Sequence, residues 1–149
     1  MNFLRNLKNS LLFILVIYGA IFPLQAQWRL THPGGGGQIQ HVELDPLNEG
    51  RLYVCSDVEG AYRSDNFGDS YQFITEDIPH GMIFTIEADP NVPNRIYMGT
   101  IKGVYISDDA GDTWRGVAGT INGTDKGLPV ANIKVDPTNS NNIYFTYVL

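Results

Sequence analysis

The chain has 149 residues, 43% of them hydrophobic and 17% charged, with 16 acidic against 10 basic side chains and a formal net charge of −6 at pH 7. A surface of that sign repels nucleic acid and anionic membranes, so neither is expected as a partner. The lone Cys55 can form no internal disulfide and, set in an apolar run, reads as a buried small hydrophobe.

The first element is a leader. Arg5 and Lys8 precede an apolar run from Leu11 to Phe22, and Leu24-Gln25-Ala26 ends in a small residue. Residues 1–26 therefore predict a secretory signal cleaved before Gln27. An uncleaved anchor is the alternative, because Leu is a mediocre residue at the −3 position. The run is too short for a comfortable membrane span, so none is expected after cleavage. The mature chain would hold about 123 residues, with 8 basic against 16 acidic side chains, in a secreted or periplasmic compartment.

From residue 38 onward the sequence repeats. The first unit reads His41-Val42-Glu43-Leu44-Asp45-Pro46, then Arg51-Leu52-Tyr53-Val54, then Gly60-Ala61-Tyr62-Arg63-Ser64. The second has Thr85-Ile86-Glu87-Ala88-Asp89-Pro90, Arg95-Ile96-Tyr97-Met98 and Gly103-Val104-Tyr105-Ile106-Ser107, and a third starts with Asn132-Ile133-Lys134-Val135-Asp136-Pro137 and Asn142-Ile143-Tyr144-Phe145. Apolar and polar residues alternate over four to six positions in each run, which suits half-buried strands. Asp-Pro fixes a turn, since proline presets φ and Asp bonds neighbouring amides. No stretch of the mature chain sustains a 3.6-residue apolar period, so the predicted class is all-β. The Asp-Pro steps lie 44 and 47 residues apart. A period of about 40 to 50 residues with four short strands per unit marks propeller blades. Blade one is expected at about 38–75, blade two at about 83–118 and a partial blade three at about 130–149.

Each complete unit closes on an octapeptide, Ser64-Asp65-Asn66-Phe67-Gly68-Asp69-Ser70-Tyr71 and, 43 residues later, Ser107-Asp108-Asp109-Ala110-Gly111-Asp112-Thr113-Trp114. The pattern resembles the Asp box of sialidase-type β-propellers, which implies a hairpin between the third and fourth strands of a blade. Ser64, Asn66, Ser70 and their counterparts Ser107, Asp109 and Thr113 can bond the turn amides. Gly68 and Gly111 can take positive φ, and Tyr71 or Trp114 can tuck beneath the turn. This is a structural role. The spacing lacks the ligand number and closing Glu of a calcium loop.

The segment Gly34-Gly35-Gly36-Gly37, followed by a strand and then Leu52-Tyr53-Val54-Cys55-Ser56-Asp57-Val58-Glu59-Gly60-Ala61-Tyr62-Arg63, resembles the start of the two-propeller xyloglucanases of glycoside hydrolase family 74. The resemblance covers roughly residues 28 to 71, and Asp-Val-x-Gly-Ala-Tyr-Arg is its most specific part. It implies that Asp57 is one of two catalytic carboxylates, with Tyr62 and Arg63 positioned around it toward a polysaccharide substrate. Such hydrolysis needs two carboxyl groups across the scissile bond. Glu59 stands where that family has Gly, and the partner aspartate is expected outside this chain. Blade one is also longer here, with 13 steps from Arg51 to Ser64 against 12 from Arg95 to Ser107, and the extra residue falls at Ser56 to Gly60. Asp57 as an ordinary turn acid is the competing reading.

Weaker signals complete the scan. The tetraglycine lacks the residues of a phosphate loop. Asn122-Gly123-Thr124 fits a glycosylation sequon. His32, His41 and His80 lack zinc spacing and read as surface or loop residues, so neither metal nor cofactor is expected. Tyr53, Tyr97 and Tyr144 recur at one strand position, which points to packing between blades. Gln27-Trp28-Arg29-Leu30 echoes Thr113-Trp114-Arg115-Gly116 and reads as an outer strand of a final blade. Two complete blades and the first strands of a third fall short of the roughly four to eight that close a ring. The expectation is the N-terminal part of a longer propeller, lacking its C-terminal remainder and marginally stable alone. Two functions fit: a secreted polysaccharide hydrolase, or a non-catalytic propeller of sortilin-like or assembly-factor-like kind that binds a protein or glycan ligand.

Overall fold

A computed structural model describes Leu30, Pro33 and residues 37–78, 82–117 and 127–147. The expected signal segment, Trp28, Gly34 to Gly36, His32, His80 and the Asn122 sequon lie outside the described residues. Within these limits the chain is all-β, with antiparallel sheets throughout and no helix long and apolar enough to cross a membrane.

The first sheet contains β1 (Ile39–Leu44), β2 (Leu52–Ser56), β3 (Gly60–Ser64) and β4 (Gln72–Phe73), paired in chain order. The second repeats that order with β5 (Ile83–Ala88), β6 (Ile96–Thr100), β7 (Gly103–Ser107) and β8 (Arg115–Gly116). β9 (Val130–Asp136) and β10 (Asn139–Tyr147) form a third, two-stranded sheet. The architecture is two four-stranded propeller blades and the start of a third in an incomplete ring. The register repeats as well: a shift falls between Ile39 and His41 on β1 and between Ile83 and Thr85 on β5.

Strand alternation sends neighbouring residues to opposite faces and so builds one core per junction. Tyr53 and Cys55 of β2 pack against Ile86 and Ala88 of β5 and Met98 of β6. Tyr97 of β6, one step from Met98, instead joins Ile133 and Val135 of β9. Burial pushes the Cys55 thiol up to about 12, which keeps it neutral. Tyr53 and Tyr97 are 0% and 2% exposed, but Tyr144 at the same position on β10 is 63% exposed, because no sheet covers that face among the described residues.

One end of each blade is closed by polar turns. Asp45 Oδ1 accepts the amides of Leu47 and Asn48, and Asp89 Oδ1 those of Asn91 and Val92, at 2.9–3.1 Å. Beside them sit the octapeptide turns between β3 and β4 and between β7 and β8. Ser64 Oγ accepts the Gly68 amide at 2.9 Å and Asn66 Oδ1 accepts that of Ser70 at 2.9 Å. Ser107 Oγ accepts the Gly111 amide and Asp109 Oδ1 that of Thr113, both at 2.8 Å. Two consecutive residues are left-handed in each turn: Phe67 and Gly68, then Ala110 and Gly111. The non-glycine member is held by its amide, which donates to Gly50 O in one blade and Asn94 O in the other. Trp114 reaches beyond its own hairpin: its indole N–H donates to Ile74 O of the neighbouring blade at 2.6 Å.

Candidate functional site

Asp57 occupies the turn between β2 and β3, at the blade end opposite the octapeptide turns. Ser56 pairs with Gly60, so three residues, Asp57-Val58-Glu59, bridge the strands, and Gly60 at φ +98° closes the turn. In blade two Thr100 pairs with Gly103 and only Ile101 and Lys102 intervene. The one-residue difference therefore lies in the turn that carries the acid.

The turn is clamped from both sides. Gln38 N–H donates to Asp57 Oδ1 at 2.8 Å, and Asp57 N–H donates back to Gln38 O at 3.2 Å. Ser56 Oγ accepts the Glu59 amide at 3.0 Å. Thr75 Oγ1 accepts the Ala61 amide at 3.0 Å. A Cβ on Gly37, the last of the tetraglycine, would lie 2.6 Å from Asp57 Oδ1, and one on Gly60 would lie 2.2 Å from Thr75 Oγ1. Both glycines are needed for close approach as well as for their φ. Sequence reading missed these supports; the run of glycines ahead of a strand was the available signal for Gly37.

Tyr62 and Arg63 go elsewhere than to Asp57. Tyr62 packs against Phe73 in a tilted arrangement, with ring centroids 5.3 Å apart and planes at 59°, and its hydroxyl donates to Glu59 Oε2 at 3.2 Å. Burial, then the hydrogen bond and charge of Glu59, raise the Tyr62 phenol. Arg63 lies on the opposite face of β3, about 10 Å along the strand from Gly60. All three guanidinium nitrogens donate, to Asp65 at 3.0 Å, to Ala110 O and Asp112 at 2.9 Å, and to Gln72 at 3.2 Å. It is a bracket between blades at the octapeptide end. The negative charge of Glu59 is directed toward Tyr62.

His41 also departs from expectation. It is half-buried on β1, with Nε2 at 3.5 Å from Glu43. Glu43 and Glu87 stand at equivalent positions, and each reaches the next blade's inner strand. Glu43 accepts the Ala88 amide at 3.4 Å, and Glu87 accepts the Val135 amide at 3.3 Å and pairs with Lys134.

A cavity of about 260 Å³ lies between the first two blades, walled by Arg63, Phe73, Glu76, Asp77, Asp112 and Trp114 among others. Asp57 is not among its lining residues. Among the described residues no cluster of three or more His, Cys, Asp or Glu side chains could hold a metal ion.

Comparison with known proteins bears on this geometry. No family model matches the chain. It is 30% identical to a xyloglucanase of Hypocrea jecorina (strain QM6a) over 166 aligned positions, covering 93% of this chain and 19% of that protein. An ancestral GH74 enzyme of known structure matches with a TM-score of 0.68 and 32% identity, over 80% of this chain and 15% of that one. The chain resembles a GH74 propeller. A GH74 xyloglucanase from Xanthomonas campestris gives a TM-score of 0.45 at 17% identity, over 81% of this chain and 29% of that one. The GH74-like chain thus spans about a fifth of the curated relative it matches.

Proposed function

We propose that the chain is the N-terminal part of a secreted glycoside hydrolase that cleaves a β-glucan-type polysaccharide, with Asp57 supplying one of the two carboxyl groups. The observation that carries this reading is the Asp57 turn. It holds an acid at an open blade end, on a loop one residue longer than its counterpart, fixed by Gly37, Gln38 and Thr75. One carboxylate oxygen is oriented by the Gln38 amide, which leaves the other to face a sugar. The similarity to xyloglucanase over 93% of the chain supports the substrate class. The second carboxyl group comes from outside this chain, so these 149 residues alone should not turn over substrate.

In the complete polypeptide, Asp57→Asn should lower release of reducing sugar from β-glucan by about a hundred- to ten-thousand-fold. The asparagine keeps an acceptor for Gln38, so the circular dichroism spectrum should be unchanged. Retained turnover with an intact fold would remove Asp57 from the chemistry. A non-catalytic glycan-binding propeller is the second reading. It is favoured by the Gln38 hydrogen bond, which gives Asp57 a sufficient structural role, and it predicts binding without turnover in parent and variant alike.

A further inference from the structure

The cavity between the first two blades serves no step of the hydrolysis assigned to Asp57. The main sheet contacts from blade to blade run through β1, β2, β5, β6 and β9, so β4 lies at the outer rim, away from the junction cores. The cavity, of about 260 Å³, lies between the end of blade one at β4 and the octapeptide turn of blade two. Both of its sides belong to four-stranded blades that the chain carries entire.

Two contacts across the junction fix its shape. Trp114 Nε1–H donates to Ile74 O at 2.6 Å, and a Cβ on Gly111 would stand 2.8 Å from Ile74 Cδ1, so the turn sits directly on the strand. With its one donor spent on Ile74, the half-buried Trp114 indole can offer a ligand only apolar ring surface. Arg63, whose side chain is 11% exposed, pairs with Asp112 and donates to Gln72 Oε1. The Gln72 amide nitrogen, a donor, bonds no protein group among the described residues. Just beyond β4, Glu76 and Asp77 also line the cavity, and their exposed carboxylates make no hydrogen bond or ion pair among the described residues. The repeat does not dictate this chemistry: at the positions of Arg63 and Gln72 blade two has Ile106 and Arg115.

The lining selects the ligand. An anion would meet the carboxylates of Glu76, Asp77 and Asp112. Among the described residues no three acids, His or Cys are grouped to hold a metal ion. A neutral molecule rich in hydroxyls matches every group: its O–H donors suit Glu76 and Asp77, its oxygens suit the Gln72 amide, and its C–H surface suits the Trp114 ring. The volume is just under the roughly 300–1,000 Å³ of sites for drug-sized ligands, which suits a single sugar ring.

We propose that this rim cavity is a second glycan site, holding one sugar ring of a β-glucan chain apart from the Asp57 turn. It rests on the hydrolase reading for the kind of glycan, while the site itself uses no residue of that turn.

The test is hydrogen–deuterium exchange of the complete polypeptide carrying Asp57→Asn, with and without cellotetraose, read by mass spectrometry. The sugar should slow exchange in residues 72–77 and 111–115, and Glu76→Ala with Asp77→Ala should weaken that protection by about tenfold in sugar concentration. Both acids are exposed, so the double variant should keep the parent's circular dichroism spectrum and, with Asp57 restored, its turnover. Absence of protection at these segments, or equal protection in the double variant, overturns the proposal. So does protection by methylguanidinium in place of cellotetraose, which would assign the cavity to a cation. Rim protection in a polypeptide that never cleaves β-glucan upholds this site and removes the hydrolase reading. Cleavage with an unprotected rim does the reverse.

Discussion

Gly37→Ala isolates the contact that orients Asp57. Gly37 lies at φ +88°, where an L-residue costs about 1–2 kcal/mol. The new Cβ would stand 2.6 Å from Asp57 Oδ1 and 3.0 Å from the Val58 side chain, so the carboxylate must shift, which strains its bond with the Gln38 amide. A hydrogen bond to a charged group contributes roughly 1.5–3 kcal/mol. This one sits at an exposed rim, so solvent brings it to the low end or below. Alanine also restricts the unfolded chain, which offsets roughly 0.4–1 kcal/mol. The net expectation is a loss of about 2 kcal/mol in urea unfolding followed by tryptophan fluorescence, with a displaced Gln38 amide resonance. Gly50→Ala is the control: φ is +82° and its Cβ would meet the Phe67 ring at 3.0 Å, with no carboxylate involved. It should lose stability while leaving the Gln38 resonance in place. A Gly37→Ala chain within about 0.5 kcal/mol of the parent, its Gln38 amide unmoved, would refute the reasoning.

Ser107→Ala should cost about 1–3 kcal/mol, because it strands the buried Gly111 amide, whereas Asp108→Ala at the exposed ion pair with Arg95 should cost about 1 kcal/mol or less. Equal urea midpoints for the two would contradict that ranking. Thr85 is 1% exposed and its hydroxyl has no hydrogen-bond partner among the described residues, so Thr85→Val should raise the unfolding midpoint, by about 1 kcal/mol in stability; a lower midpoint would show that the hydroxyl is satisfied. Burial, then the charge of Glu87, raise the Glu43 carboxyl above its ordinary 4.5, so the native state holds that proton more tightly than the unfolded chain. The resulting stability is complete below the ordinary value and is lost as pH rises through the folded one. Glu43→Gln should therefore gain on the parent between pH 4 and pH 7, and a difference that ignores pH would count against the argument.

The strands and the blade count were legible because alternation and the Asp-Pro steps act within a few residues. So was the extra residue at the Asp57 turn, which two aligned repeats expose by length alone. The bracketing role of Arg63 was hidden by its place in the same short motif as Asp57. Strand geometry separates them, since three residues along β3 carry Arg63 to the far end and alternation turns it to the other face. The Trp114 bond to Ile74 and the Glu43 and Glu87 contacts run between blades, across 40 to 48 residues of sequence, where no local pattern reports a partner. Phe67 and Ala110 in the left-handed region were unexpected because propensity assigns that conformation to the glycine that follows. Pairing of their amides with the neighbouring turn outweighs it.

The two ends of a blade are under different constraints, and this bears on where chemistry can reside. At the octapeptide end, Arg51 joins Asp65 to Asn94 of the next blade, and Arg63 joins Asp65 to Asp112 of the next blade. A change of loop length there would break contacts within a blade and between blades together. At the Asp57 end the turns of the two blades already differ by a residue while the paired strands keep their register. Their hydrogen bonds go mainly to adjoining backbone, so one turn can vary without disturbing its neighbour. A fold of near-identical units can therefore hold a single acid at one position of one blade. That is the arrangement a catalytic or ligand-contacting group requires, because the repeat supplies rigidity and the exception supplies specificity.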